Sequence, residues 1–147
     1  MATKTAFVKQ LRGITFVGKT DTNHWITMDG PENFYGSNSG IRPKELILLS
    51  LAGCTGSDVV AILQKKRIKL DNLEINITAE QQETHPQVYT KIHIEFLFYG
   101  KDIADKDVER AIELSQTTYC SVTAMLQKSV EILSLIHISE PTRRTPI

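Results

Sequence analysis

The chain has 147 residues, of which 41% are hydrophobic and 23% are charged, and its 17 basic side chains equal its 17 acidic ones. This length suits one domain with a full hydrophobic core, and the composition argues against disorder. A formal net charge of zero gives no overall attraction to nucleic acid or to anionic membranes. We therefore expect neither nucleic acid nor a membrane as a partner.

The N-terminal segment MATKTAFVKQLRG lacks the apolar run of a signal peptide. We also see no apolar run that approaches the ~18 residues needed to span a bilayer. These features predict a cytoplasmic protein, in which the two cysteines are free, catalytic or metal-binding more often than permanently bridged. There is no CxxC motif, and the four histidines lack ligand spacing, so we predict no metal site.

Three short strands are predicted in the first thirty residues. Residues 5–18 are rich in β-forming side chains and are interrupted at Gly13, which predicts a pair of strands, and residues 24–30 predict a third. The next segment, 31–43, has the glycine, proline and serine content of a loop. Because it also carries Phe34 and Tyr35, we predict that this loop is a lid or a pocket wall.

A long helix is predicted from Lys44 to about Lys66, with Pro43 suited to its first turn. Its apolar residues cover nearly the whole circumference, so the helix should be buried on most sides. One chain of this size would struggle to cover it, and we predict an obligate homodimer. One narrow strip of the helix is small and polar; it contains Ser50, Cys54, Ser57, Asp58 and Ala61.

The second half of the chain begins with a predicted hairpin. Residues 70–80 and 88–100 alternate between apolar and polar side chains, and residues 129–138 alternate again as a last strand. The element order is therefore β-β-β-α-β-β-α-α-β. Strands that arrive in hairpins predict an α+β fold with antiparallel sheets packed around the long buried central helix.

Two amphipathic helices are predicted between the hairpin and the last strand. The first covers residues 105–115 with Asp105 as its N-cap. The second covers residues 117–129 with Thr117 or Thr118 as its cap. No internal repeat is visible in the sequence.

The two cysteines, Cys54 and Cys120, leave three alternatives open: inert core thiols, a structural bridge or a reactive pair. A free cysteine is most often a small buried hydrophobe. Around Cys54, however, Gly53 and Gly56 each cost about 1 kcal/mol of helix propensity relative to alanine. Periodicity places Cys120 in the first turn of its helix, where backbone N–H groups favour the thiolate, and makes it the more activated thiol.

Three stretches resemble the OsmC/Ohr family, the osmotically inducible protein C and organic hydroperoxide resistance proteins. They are RPKELILLSLAGCTGSDVVAILQKK, HPQVYTKIHIEFLFYG and DVERAIELSQTTYCSVTAML. The resemblance is greatest to the branch with a GC[ST]xxDVVxIL core, and it runs from about residue 8 to residue 132. We accordingly expect a single OsmC-like domain over residues 1–133. Residues 134–147 form an off-pattern C-terminal tail, for which a natural origin and a cloning-derived origin both remain open.

The resemblance implies a thiol-dependent peroxidase built as an intertwined homodimer, with the active site at the subunit interface. On this carry-over Cys54 is the attacking cysteine and Cys120 the resolving one, and the two form a disulfide through a sulfenic acid. The implied substrate is a small organic hydroperoxide, the implied reductant is an external dithiol, and no cofactor is needed. The role would be oxidative-stress defence.

The sequence departs from the family pattern at the partners of the reactive cysteine, which in the family are an arginine and a glutamate. Here the acid is Glu45, one residue later than expected and on the far side of a straight helix from Cys54. The candidate cations are Arg42, Lys44, Arg12 and Lys19, and no arginine of the N-terminal strands aligns with that of the family. The candidate pocket residues are Phe34, Tyr35, Ser50 and Tyr119.

Two hypotheses compete with the peroxidase. The first is a non-catalytic dimeric OsmC-like protein that binds a ligand or senses oxidation, and it is motivated by these departures. The second is a purely structural pair of core thiols. A lowered pKa of the Cys54 thiol would favour the peroxidase, and an ordinary or raised pKa would favour the binding protein. Rapid labelling of Cys54 in the native state would argue against the structural pair.

Overall fold

The computed structural model of the protein describes residues 1–139. The described residues divide into two compact units, Met1–Ile47 and a second that begins at Leu48. The elements follow one another in the predicted order, with three strands, a helix, two strands, two helices and a last strand. The α+β class is thereby confirmed.

The N-terminal unit contains a three-stranded antiparallel sheet in the order β1-β2-β3. Its strands are β1 (Ala6–Arg12), β2 (Thr15–Thr20) and β3 (Ile26–Met28). The predicted break at Gly13 is the turn between β1 and β2, where the backbone has a φ of 52°. A Cβ at Gly13 would lie 2.2 Å from the carbonyl oxygen of Tyr35, so this turn requires glycine.

A single buried carboxylate orders the loop that follows β3. Asp29 is 1% exposed and accepts hydrogen bonds from the backbone N–H groups of Gly30, Ser37 and Ser39. The Ser39 hydroxyl donates to Asp29 Oδ2 at 2.6 Å. The Ser39 hydroxyl, with the N–H groups of Ser39 and Gly30, holds the pKa of Asp29 well below its usual range, against the opposing effect of burial. The loop is therefore built around a charged aspartate.

The central helix α1 spans Glu45–Lys65. Its first residue lies one position after the predicted start at Lys44, and Pro43 lies in the turn that leads into the helix, where a missing N–H costs nothing. The Glu45 carboxylate reaches back to accept a hydrogen bond from the Arg42 N–H at 3.1 Å. This is the glutamate half of a capping box, and it satisfies one of the unpaired N–H groups at the helix start.

One face of α1 is buried within the chain. Leu51, Thr55, Val59 and Leu63 recur every fourth residue and are completely buried. On other faces Ile47, Leu49 and Val60 are 38%, 58% and 41% exposed. The predicted core helix is confirmed on its buried ridge, while its remaining apolar surface is open.

The hydrophobicity of α1 differs from our expectation that no apolar run approaches the length of a bilayer. An 18-residue window inside Glu45–Lys65 has a mean hydropathy of 2.0 and is long and apolar enough to cross a membrane. In this fold the helix instead packs its ridge into a core that it shares with the strand Tyr89–Tyr99 and the helix Asp105–Leu114. Within the chain, 28% of that window is buried.

The second sheet has the order β4-β5-β6 and carries most of the core. β4 (Asn72–Gln81) and β5 (Tyr89–Tyr99) form the predicted antiparallel hairpin. The alternation of β5 is confirmed, because its inward side chains are fully or almost fully buried: Ile92, Ile94, Phe96 and Phe98. The rings of the two phenylalanines stack with their centroids 6.1 Å apart.

The last strand, β6 (Glu131–Ser139), pairs with β5 in parallel. The antiparallel pairing that we predicted holds in the first sheet and in the β4–β5 hairpin, and this parallel pair is an addition to it. A parallel neighbour requires a crossover connection, which the intervening helices provide. β6 includes residues 134–139 of the off-pattern tail, and residues 140–147 of that tail lie outside the described residues.

The two C-terminal helices differ from the prediction at their boundaries. α2 spans Asp105–Leu114 and its N-cap is Ala104, not Asp105, whose carboxylate lies in the first turn. The predicted helix over 117–129 is wrong as a single element. A π-helical turn, Ser115–Tyr119, follows α2 directly, and α3 is limited to Ser121–Leu126.

Candidate active site

The fold brings the two cysteines together. The Sγ atoms of Cys54 and Cys120 and a carboxylate oxygen of Asp58 all lie within 4.8 Å of one another. Both cysteines are free thiols. They are 66 residues apart in sequence, so their proximity is produced by tertiary structure.

Helix α1 supplies Cys54 and Asp58 from neighbouring turns. Residues four apart share a helix face, so both side chains project beside the buried ridge, and both are half-buried. The glycine at 56 has a packing reason, because a Cβ there would lie 2.9 Å from Ile75 Cδ1 of β4. No packing contact within the described residues of the chain requires a glycine at 53, since a Cβ there would meet no atom within 4 Å.

The π-helical turn places Cys120. Its backbone N–H donates to the Ser115 carbonyl at 2.7 Å, and its residue is the N-cap of α3. The Cys120 Sγ accepts a hydrogen bond from the Thr123 N–H at 3.3 Å. π-Helical turns are rare and frequently occur at functional sites. Here the turn aims the sulfur back toward α1, and Cys120 is only 3% exposed.

A buried hydrogen-bond chain joins the two segments that carry the cysteines. The Ser115 hydroxyl donates to Asp58 Oδ2 at 2.9 Å. The oxygen atoms of the Thr55 and Ser115 hydroxyls are also 2.9 Å apart. Since the single hydroxyl hydrogen of Ser115 is donated to Asp58, Thr55 is the donor to Ser115. Both hydroxyl-bearing residues are completely buried. The Asp58 carboxylate is therefore held in a fixed orientation beside the sulfurs.

The electrostatics of Cys120 are the reverse of the sequence prediction. Burial raises the pKa of the Cys120 thiol, and the neighbouring Cys54 sulfur adds to this, while Thr123 acts in the opposite direction. The helix N-terminus does contribute its N–H, but loss of water outweighs it. The expectation that Cys120 is the more activated thiol is wrong for this reason.

A pocket of about 340 Å³ opens beside Asp58. Its apolar wall contains Ile62, Leu114 and Tyr119, and Lys65 and Lys66 line it as well. Tyr119, one of the predicted pocket residues, is thus a pocket residue adjacent to the cysteine cluster. A larger groove of about 650 Å³ between α1 and the start of β4 includes neither cysteine nor Asp58.

The other predicted site residues have local environments of their own. Arg42 Nη1 donates to the Gly40 carbonyl at 3.3 Å, and Glu45 accepts from the Arg42 N–H. Phe34 and Tyr35 are exposed and their rings lie 6.0 Å apart. Ser50 is exposed on α1. Arg42 and Glu45 thus interact with each other at the start of α1, and Phe34 and Tyr35 lie in the loop that precedes it.

Sequence reasoning missed the polar partners of the cysteines. Asp58 was visible as a residue one turn after Cys54 on the polar strip, but nothing indicated that it also reaches Cys120. Thr55 and Ser115 gave no signal, because isolated hydroxyl residues on apolar faces are common. Their pairing depends on the π-helical turn, which has no simple sequence pattern.

A model of the family described as OsmC-like protein matches residues 36–133. The chain belongs to the OsmC-like family. Protein YhfA of Escherichia coli (strain K12) is 41% identical to it over 130 residues, which cover 86% of this chain and 92% of YhfA. The family match includes both cysteines and Asp58, so the cluster lies inside the region that defines the membership.

Solved structures share this OsmC-like fold. A protein of Aquifex aeolicus VF5 superposes with a TM-score of 0.83 and 32% identity, and the match covers 95% of this chain and 98% of that one. The organic hydroperoxide resistance protein OhrB of Bacillus subtilis superposes with a TM-score of 0.61 and 14% identity, over 92% of this chain and 98% of that one. The second likeness concerns the fold alone.

Proposed function

We propose that the protein is a thiol-dependent peroxidase that reduces organic hydroperoxides in oxidative-stress defence through its two cysteines. The observation that carries this proposal is the placement of both free sulfurs within 4.8 Å of each other. A disulfide requires an S–S distance of about 2.05 Å, so a shift of at most about 3 Å would close the gap. Family membership and the organic hydroperoxide resistance proteins of the same fold support the assignment.

The reaction proceeds in two displacements. The Cys54 thiolate attacks the distal oxygen of the hydroperoxide; an S–O bond forms, the O–O bond breaks, and the alkoxide leaves as an alcohol after taking a proton. The Cys120 sulfur then attacks the Cys54 sulfur of the sulfenic acid; an S–S bond forms, the S–O bond breaks, and the departing hydroxide leaves as water with the proton of the Cys120 thiol. An external dithiol reduces the disulfide by two thiol–disulfide exchanges and is itself oxidised.

Exposure decides which cysteine attacks. Cys54 is half-buried, whereas Cys120 is 3% exposed and its thiol is stabilised in the protonated form by burial. A peroxide arriving from solvent meets Cys54 first. Cys120 needs to react only with the sulfenic acid already beside it, so its burial costs little and limits side reactions.

The pocket beside Asp58 favours an organic substrate. Its Ile62, Leu114 and Tyr119 wall offers apolar contact to an alkyl or aryl group, which hydrogen peroxide lacks. Glu45 and Arg42 remain our proposed catalytic partners from the family pattern, and Phe34, Tyr35 and Ser50 our proposed pocket residues. We place the protein in the cytoplasm as a single OsmC-like domain over residues 1–133, and the family match across residues 36–133 supports that unity.

We also propose that the protein is a homodimer. The exposed apolar residues of α1, with Leu49 at 58% and Val60 at 41% exposure, support a second copy packing on this helix. Gly53 supports the same arrangement, because its open position leaves room for a close helix approach. Sedimentation should give a dimer at micromolar concentration, and a stable monomer would reject this part of the proposal.

The test of the peroxidase is dithiol-coupled consumption of an alkyl hydroperoxide by the pure protein. Intact mass after one equivalent of hydroperoxide should fall by two hydrogens, with the bridge mapped to Cys54 and Cys120 by digestion. Cys54→Ser should abolish both results. Equal turnover by that variant, or an unchanged mass in the wild type, would refute the proposal.

A second candidate function is redox sensing or ligand binding without rapid turnover. It is favoured by one observation, that the Glu45 carboxylate is engaged in capping α1. The same mass experiment separates the two. Stoichiometric disulfide formation with no sustained turnover under excess dithiol supports sensing, and sustained turnover supports the peroxidase.

A further inference from the structure

The cysteine cluster has the composition of a metal-binding site. Two sulfurs and one carboxylate oxygen, from Cys54, Cys120 and Asp58, lie within 4.8 Å of one another. Thiolates and carboxylates are ligands of zinc, with Zn–S distances of about 2.3 Å and Zn–O distances of about 2.0–2.2 Å. Around one tetrahedral ion such ligand atoms stand roughly 3.3–3.8 Å apart. Side-chain rotations that displace each ligand atom by about 1 Å would therefore bring the two sulfurs and the carboxylate oxygen to bonding distance from one ion.

Two of the three ligands already have the outer hydrogen bonds that metal ligands require. Ser115 donates to Asp58 Oδ2 at 2.9 Å and is itself hydrogen-bonded to Thr55. The Thr123 N–H donates to Cys120 Sγ at 3.3 Å. Such donors orient a ligand and stabilise its negative charge, and their loss typically weakens metal affinity about 10–100-fold. These hydrogen bonds would hold the carboxylate and one sulfur in place for an ion.

We propose that the reduced protein binds one soft divalent cation of the Zn²⁺ class through Cys54, Cys120 and Asp58, with a fourth position open to water. On binding, two S–H bonds break, two metal–sulfur bonds form and two protons pass to water. No oxidation state changes. The inference does not depend on the peroxidase, since it needs only the two free thiols and the carboxylate.

The charges fit a bound cation. Two thiolates and a carboxylate carry three negative charges, and a divalent ion neutralises two of them. Lys65 and Lys66, both exposed, line the pocket that Asp58 also lines. Metal binding and the disulfide exclude each other, because a disulfide has no thiolate to offer. A bound ion therefore protects both sulfurs from oxidation, and oxidation releases the ion.

The experiment is an anaerobic Co²⁺ titration of the reduced, tag-free full chain. We expect one Co²⁺ per chain, a thiolate-to-cobalt charge-transfer band and the visible bands of tetrahedral cobalt, all removed by Zn²⁺, which binds more tightly. Cys54→Ser and Cys120→Ser should each lose about half of the charge-transfer intensity and bind far more weakly. Asp58→Asn should weaken binding at least about tenfold, and Ser115→Ala about 10-fold or more.

The matched control is Asp102→Asn. Asp102 is exposed and has a φ of 57°, a conformation that asparagine adopts readily, so this variant should bind as the wild type does. A charge-transfer band is specific to thiolates and separates the cluster from the histidine–glutamate pairs on the sheet. Equal binding by the disulfide form, or a reduced wild type without the band, would overturn the proposal.

A second measurement needs no variant. Stoichiometric Zn²⁺ should slow alkylation of both cysteines of the wild type at least about tenfold, with modification counted by intact mass. Slower alkylation of both thiols supports the shared ion. Unchanged alkylation of either thiol contradicts it, even if Asp58→Asn failed to fold.

Discussion

The two thiols occupy opposite kinds of environment although their sulfurs are neighbours. Cys54 lies in the middle of a regular helix, half-buried, on a strip of small and polar residues. Cys120 lies at an irregular junction between a π-helical turn and a short helix, is almost fully buried, and has a raised pKa because of that burial. The regular helix α1 thus carries the more accessible sulfur, that of Cys54, and the irregular junction carries the buried sulfur of Cys120.

This difference teaches that a helix position alone does not set thiol reactivity. An N-terminal helix position favours the thiolate, yet at Cys120 the exclusion of water has the larger effect. The mid-helix sulfur, with solvent on one side, is the one that a substrate can reach. In a two-step reaction this is a useful separation, because the first step needs access and the second needs proximity.

The largest effect should come from exchanging sulfur for oxygen at each position in turn. Cys54→Ser should lower the rate of hydroperoxide consumption at least about a thousandfold, because serine is a far weaker nucleophile. Cys120→Ser should keep the first turnover within about threefold of the wild type and accumulate a sulfenic acid. Single-turnover mixing with a sulfenic-acid trap measures both. Equal losses in the two variants would remove the distinction between them.

The second largest effect should come from breaking the hydrogen bonds of Ser115, which connect the segments that carry the two cysteines. Ser115→Ala removes the hydroxyl that joins Thr55 to Asp58 and leaves buried polar partners unsatisfied. We expect a loss of about 1–3 kcal/mol in the free energy of unfolding. Urea denaturation gives the value. The control is Ser57→Ala, an exposed serine that donates to the Gly53 carbonyl, for which a change within about 0.5 kcal/mol is expected.

Glu45 tests whether a carboxylate on the same helix assists Cys54. Glu45→Ala should cost about 0.5–1 kcal/mol of stability, because the capping hydrogen bond to the Arg42 N–H is lost. Glu45→Gln should retain most of that stability, since glutamine also closes a capping box. A more than tenfold loss of turnover in Glu45→Gln with intact stability would give Glu45 the family's catalytic role in addition to its structural one.

The smallest effect concerns pH. Because the pKa of Cys120 is raised on folding, its contribution to stability is complete below the pKa of the unfolded thiol, about 8.5. Above that pH the unfolded chain loses this proton first, so stability falls as the pH rises through the folded-state pKa. Between pH 7 and 10 the wild type should therefore lose more stability than Cys120→Ser, as measured by urea denaturation at each pH.

The sequence predicted most of the fold because its regular elements have strong patterns. The alternation of β5 anticipates the buried Ile94 and Phe96, and Pro43 anticipates where α1 starts. The parallel pairing of β6 could not be read in the same way, since an alternating strand looks identical in either orientation. Asp105 was a reasonable cap by type, but the chain enters α2 one residue earlier.

The candidate site was predictable only in part. The family motif gave Cys54 and Cys120, and the helix period placed Asp58 near the first of them. What the sequence pattern misjudged was the segment 115–120, because we predicted a break there and a new α-helix capped by Thr117 or Thr118, where the chain forms a π-helical turn. That error put Cys120 inside a helix with an exposed first turn, when it is the buried cap of a shorter one. The burial that raises the pKa of the Cys120 thiol results from tertiary packing, which a local sequence pattern does not predict.

The π-helical turn has a consequence for length. Such a turn holds one residue more than an α-helical path between the same points, so the segment Ser115–Tyr119 behaves as a single-residue insertion fixed in place. Deleting Gln116 would allow α2 to run on in ordinary register, and everything after it would rotate by about 100° around the helix axis. The proximity of the two sulfurs would then depend on the number of residues in this segment, because the one additional residue orients Cys120 toward Cys54.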